Sequence, residues 1–206
     1  MKVVHIVEAL AGGVHTYFKE LSFFFGSSEI KEAIDTTIIY SETRKKVDSE
    51  KINTEFSKGV SLVELKMVRE FSPLQDLKSL LKLTKELRRI QPDVIHLHSS
   101  KAGVLGRIAC FLLFKKTKLF YTPHGYSFLR TDTSSFTKKM YRLIESSFQR
   151  IFGGATIACG DTEYGIAKTI GKSHLVRNGI DIKKVQKYSS KNDNIVLTIG
   201  IVGRIT

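Results

Sequence analysis

Two imidazoles, two hydroxyls and an ammonium group fall within six positions in the stretch 92–107, PDVIHLHSSKAGVLGR. His96, His98, Ser99 and Lys101 follow or end an apolar run, 94–97, of the kind a buried parallel strand needs. Pro92 and Asp93 punctuate its start, and Ser99 or Ser100 can cap the helix that follows. In an open α/β sheet, ligands bind beyond the carboxyl ends of the strands, where these groups would lie. His96 reads equally well as a core histidine. His98 and Lys101 stand where a ligand would be met. A second constellation is PHGYSF, with His124 and Gly125 just past the apolar run 118–122. A third is Gly12-Gly13, between a first strand at 3–7 and an amphipathic helix carrying Val14, Phe18, Leu21 and Phe25. Glycine lets a backbone approach a phosphate, and free N–H groups at a helix start point at it. A plain strand-to-helix turn has the same appearance. The chain holds an HxH but no metal-type spacing, and no GxGxxG is present.

These groups need elements to hold them. Further strands are expected at 34–40, 60–65, 155–158 and 173–176, with helices at 73–90, 135–152 and after Asp161 or Thr162. Residues 41–58 read as an exposed polar excursion. Alternation of strands and helices predicts an α/β fold with a doubly wound, mostly parallel Rossmann-like sheet and helices on both faces. Leu80, Leu83, Leu87 and Ile90 form the core face of the helix at 73–90. Lys78, Lys82, Lys85 and Arg89 make a basic stripe opposite, flanked by Leu74, Leu77 and Leu81. Such a surface suits either solvent or an anionic membrane. The helix at 135–152 carries Phe136, Met140, Ile144, Phe148 and Ile151, with Lys138, Lys139, Arg142 and Arg150 on its outer face.

The 206 residues, 42% of them hydrophobic and 13 of them Phe, suffice for one domain, or one plus a piece of another. The formal net charge of +13 calls for an anionic partner, whether nucleic acid, lipid surface or phosphorylated substrate. No apolar run reaches the ~18 residues of a membrane span. Met1 leads straight into KVVHIV, which argues against a secretory signal. Cys110 and Cys159 lie in apolar segments and read as reduced, buried thiols of a cytosolic protein.

Taken in order, AGGVHTYFKEL, PDVIHLHSSKAGVLGR, YTPHGYSF, RNGID and IGIVGRI resemble the amino-terminal domain of family four glycosyltransferases. The likeness is best to the branch that builds bacterial capsular and surface polysaccharides. Those are retaining enzymes with two facing Rossmann-like domains, the GT-B fold. The resemblance implies a nucleotide-sugar donor, UDP- or GDP-linked, and a glycan or lipid-linked acceptor. It implies no metal, no cofactor and no nucleic-acid partner. His124 resembles the histidine near the reacting centre. Gly12, Gly13, Asn178 and Arg204 would serve the donor, with Arg204 on its diphosphate. His98, Ser99 and Lys101 would line the acceptor side. A cytoplasmic protein, peripheral on the inner face of the membrane, is expected, with Lys78, Lys82, Lys85 and Arg89 in contact with lipid.

The family's pattern continues past Arg204 with a lysine and two glutamates, whereas this sequence stops at Thr206. Glu42 and Glu50 have the right spacing but lie in the early excursion. The expected layout is therefore a domain at 1–182, a linker at 183–193 and the first strand of a truncated second domain at 194–206. A fragment of this kind should be inactive alone and could dimerise through the orphan strand at 195–199. The competing reading is a non-catalytic basic module that binds anionic membrane or nucleic acid. Nucleic-acid binding would show a steep loss of affinity with salt and indifference to nucleotide sugars.

Overall fold

The computed structural model describes residues 1–8, 10–41, 49–68, 71–113 and 116–179. The expected linker at 183–193, the strand at 195–199 and Arg204 lie outside them. Among the described residues, seven strands form one sheet: β1 (Lys2–Val7), β2 (Asp35–Tyr40), β3 (Ser61–Glu64), β4 (Val94–His98), β5 (Lys118–Thr122), β6 (Ala155–Ala158) and β7 (Ser173–Leu175). Their order is β3-β2-β1-β4-β5-β6-β7, and every pairing is parallel. The winding reverses between β1 and β4. That makes the gap between their carboxyl ends the topological switch point, where such sheets bind ligands. Register puts His5 of β1 beside His96 of β4, and His98 beside Thr122 of β5.

Among the described residues, seven α-helices join the strands: α1 (Gly13–Phe25), α2 (Ser28–Ala33), α3 (Ser49–Glu55), α4 (Pro73–Ile90), α5 (Ser100–Leu113), α6 (Ser135–Phe152) and α7 (Asp161–Ile170). Two apolar cores lie on opposite faces of the sheet. One gathers Phe18 of α1 with Ile38, Tyr40, Ile52 and Phe56. The other gathers Val4, Ile6, Ile95 and Leu97 with Leu83 and Leu87 of α4, Ala109 of α5 and Ile170 of α7. Each fully buried Leu or Phe contributes about 1.5–3 kcal/mol by leaving water. α4 buries the expected stripe, with Leu83 and Leu87 sealed and Leu80 and Ile90 partly covered. Helix α5 lies unusually close to the sheet. A Cβ on Gly103 would meet the Tyr121 ring, and one on Gly106 would meet the Leu97 side chain. The glycines of KAGVLGR are therefore packing residues.

Two expectations are corrected. The stretch 41–58 is not simply an exposed excursion, because α3 and the residue after it bury Ile52 and Phe56. α6 is turned relative to its apolar pattern. Phe136, Met140, Leu143 and Ile151 are exposed, whereas Glu145 and Gln149 are buried. Buried polar groups decide this orientation. Glu145 accepts from the Tyr121 hydroxyl at 2.8 Å and the Ser100 hydroxyl at 3.2 Å, and lies 3.8 Å from the sealed Arg107 guanidinium. Gln149 accepts from Thr156 at 3.1 Å and donates to the Lys172 carbonyl at 3.0 Å. Both cysteines are free thiols; Cys110 is buried and Cys159 partly so.

Candidate active site

Three strand ends and the first helix build one site. β1 brings His5, β4 brings His96, His98 and Ser99, and β5 brings Thr122 and then Pro123-His124-Gly125. His5, His96 and His98 share one face of the sheet, beneath α1. The His98 ring meets the edge of Phe18 with centroids 4.7 Å apart, and Tyr17 meets His124 at 5.1 Å. Gly12 precedes α1 with φ +58, and a Cβ there would meet nothing within 4 Å. Backbone conformation alone demands that glycine.

Two non-glycine residues with left-handed backbone sit side by side at this edge: Ser99 at φ 74 and His124 at φ 51. Such positions persist where surrounding structure holds them, and they gather at functional sites. The Ser99 N–H donates to the Thr122 carbonyl at 3.0 Å, while the Ser99 hydroxyl is sealed from solvent without a partner. Gly125 is fixed by Glu163 of α7, whose two carboxylate oxygens accept from the Gly125 N–H at 2.9 Å and the Cys159 N–H at 2.8 Å.

The imidazoles form a chain. Nδ1 of His5 lies 3.1 Å from Nε2 of His98, and Nδ1 of His98 lies 3.0 Å from Nε2 of His124. The His98 and His124 rings stack at 5.3 Å. His96 is hydrogen bonded through Nε2 to the Thr122 hydroxyl at 2.8 Å. Burial lowers the pKa of His5 and of His124 to about 4. It pushes His96 and His98 well below the ordinary range, helped by the neighbouring rings. All four are neutral at pH 7. Burial raises the Tyr17 hydroxyl to about 12, with a lesser push from Cys159. The site therefore offers neutral donors and acceptors. His5, His96 and His98 each present a nitrogen within 4.8 Å of the others, a grouping that could hold a metal ion. His5 and His98 spend their facing nitrogens on each other.

His98 is not on the cleft surface where the sequence reading put it. It is fully buried, with its Nδ1 turned to His124 and its Nε2 to His5. Lys101 pairs with both oxygens of Asp76 at 2.8 Å and ties α5 to α4. Asn178 is exposed just past β7. Sequence reasoning missed His5, Tyr17 and Glu163. For His5 the signal was present, since KVVHIV places a histidine in the strand destined to pair with an HxH strand. Tyr17 and Glu163 gave no such signal. A hollow of about 620 Å³ between Phe111, Leu119 and Phe152 lies at the amino ends of β5 and β6, the edge opposite this chemistry.

A parallel sheet with a switch-point crevice, flanked by helices on both faces, defines a Rossmann-like domain of the GT-B type. The chain belongs to glycosyltransferase family 4: the model of that family matches residues 11–184. It is 34% identical to a protein from Klebsiella pneumoniae described as an uncharacterized 41.2 kDa protein in the cps region, covering 99% of this chain and 56% of that one. It is 32% identical to the Escherichia coli UDP-Gal:alpha-D-GlcNAc-diphosphoundecaprenol alpha-1,3-galactosyltransferase, over 62% of this chain and 33% of that one. The lipopolysaccharide outer core galactosyltransferase WaaB in its apo form shares the fold at TM-score 0.64 and 18% identity, over 94% of this chain and 50% of that chain. The chain thus spans between a third and somewhat more than half of these relatives.

Proposed function

We propose that this chain is the acceptor-side domain of a retaining, nucleotide-sugar-dependent glycosyltransferase that builds a capsular or surface polysaccharide. The observation that carries the reading is His124, held with left-handed backbone at the carboxyl end of β5 beside the switch-point crevice. In the reaction, the bond between sugar C1 and the donor diphosphate breaks and a bond to an acceptor hydroxyl forms. The hydroxyl proton leaves with the nucleoside diphosphate, so atoms and charge balance. His124 sits nearest the reacting centre, and Ser99 and the Gly12-Gly13 turn flank it. Arg204 and Asn178 serve the donor diphosphate and the approach to the second domain, and no metal is used. A guanidinium matches phosphate oxygens and stays charged. Fixed donors stabilise the charge that develops on the leaving group.

The donor is a UDP- or GDP-sugar and the acceptor is lipid-linked. The named acceptor of the Escherichia coli relative, a diphosphoundecaprenol, supports this. Lys78, Lys82, Lys85 and Arg89 are exposed on α4, beside the exposed Leu74, Leu77 and Leu81. This face rests on anionic lipid, which makes the protein peripheral at the inner membrane surface. No described helix is long and apolar enough to cross a membrane. The test is transfer from UDP- and GDP-sugars to a polyprenyl-diphosphate sugar, by the chain alone and by the chain joined to a carboxyl-terminal family 4 domain. Transfer is expected only from the joined protein. Failure of the joined protein with every donor would reject the reading, and transfer by the chain alone would reject its half-enzyme role.

A further inference from the structure

The hydrogen-bonded row His5–His98–His124 starts in the core and ends at the cleft. Its inner end is His5 Nε2, sealed from solvent with no partner, in a ring that packs against Phe18 and Phe25. Its outer end is His124 Nδ1. That atom makes no described hydrogen bond and is not among the sealed polar atoms, so it is the nitrogen open to solvent and ligand.

Neutral imidazole carries one N–H, so the row has two proton orders. In the first, His124 Nε2–H donates to His98 Nδ1, and His98 Nε2–H donates to His5 Nδ1. His5 is then left with an N–H at Nε2 buried among phenyl rings. In the second, His5 Nδ1–H donates to His98 Nε2, and His98 Nδ1–H donates to His124 Nε2. His5 is then left with a bare acceptor, and His124 with an N–H at the cleft. Orphaned buried donors are rarer in proteins than under-used acceptors. The second order therefore wins.

We infer that His5 and His98 are positioning residues that lock His124 as the Nδ1–H tautomer, so that His124 offers the cleft an uncharged hydrogen-bond donor. This deepens the reading above, because it names what His124 presents to a sugar or leaving-group oxygen. A donor of this kind suits an oxygen that gains negative charge, and an acceptor tautomer would not. His96 stands outside the row, since its Nε2 turns to Thr122.

The experiment is nitrogen-15 NMR of the 206-residue chain with labelled histidine, near pH 7, which reads tautomers without any transfer reaction. Protonated Nδ1 is expected for His5, His98 and His124, with N–H···N scalar couplings from His98 to His124 and from His5 to His98. In His98→Phe the coupling to His124 disappears, and its two ring nitrogens move to the averaged shifts of free neutral imidazole. In His98→Asn, whose amide nitrogen takes the Nδ1 position, a fixed Nδ1–H at His124 returns. An Nε2–H on His124 in the unaltered chain would overturn the inference, even if His98→Phe failed to fold. So would an unchanged His124 signal in His98→Phe. One-equivalent Zn²⁺ binding that His5→Phe abolishes would overturn it too, because a metal would separate the facing nitrogens of His5 and His98. None of these results bears on whether sugar is transferred, so this inference and the proposed function fail separately.

Discussion

Four histidines in contact would repel one another if charged, and the fold keeps them neutral by burying them. That has a cost at low pH. His5 titrates near 4 in the native state against 6.5 ordinarily, so the unfolded chain binds more protons between those values. Stability is then complete above about pH 6.5 and falls as pH drops toward 4, by on the order of 3 kcal/mol for His5 alone. Urea unfolding between about pH 7.5 and 4.5 should show the midpoint falling, and His5→Phe should flatten that dependence. A midpoint indifferent to pH would contradict the burial argument. Each histidine except His5 was noticed in the sequence as a possible functional group. Their hydrogen-bonded order was not legible, because it depends on a one-residue register between β1 and β4 that no local pattern specifies.

Helices carry the next level of cause. On α5 a methyl group added at Gly106 would run into Leu97, itself fully buried and unable to move aside. Gly106→Ala should therefore cost about 1–3 kcal/mol, the usual penalty of overpacking, read as a lower denaturant midpoint at unchanged slope. On α4 the exposed lysines and leucines make a surface for lipid. Each basic residue near an anionic bilayer is worth about 1 kcal/mol. Replacing Lys78, Lys82, Lys85 and Arg89 together by Gln should release the protein from phosphatidylserine vesicles in a sedimentation assay at low salt. Failure of the unaltered protein to sediment would reject the membrane face. The α4 stripe was readable because its apolar period matches the helix, and the polar side chain it buries, Ser79, is satisfied by the Gln75 and Lys66 carbonyls. α6 was misread for the opposite reason. Its inner face must satisfy Arg107, Tyr121 and Thr156, which come from other parts of the chain, and that demand turns Phe136 and Ile151 outward.

At the scale of the molecule, alternating strand and helix signals were enough to read a doubly wound parallel sheet, and strand-end residues converge as that topology requires. Short or tertiary-dependent pieces were not readable: α2 is six residues long, and α3 gains its place by burying Ile52. The same topology makes the central claim testable, because it sets His124 beside the switch-point crevice with one ring nitrogen open. The direct measurement is the turnover of His124→Ala against the unaltered sequence, each joined to a carboxyl-terminal family 4 domain, with a nucleotide-sugar donor and a polyprenyl-diphosphate sugar acceptor. Loss of a donor to developing charge predicts a fall in kcat on the order of 100-fold, with a melting temperature nearly unchanged. Full activity in His124→Ala, or a loss matched by a large drop in melting temperature, would contradict the account.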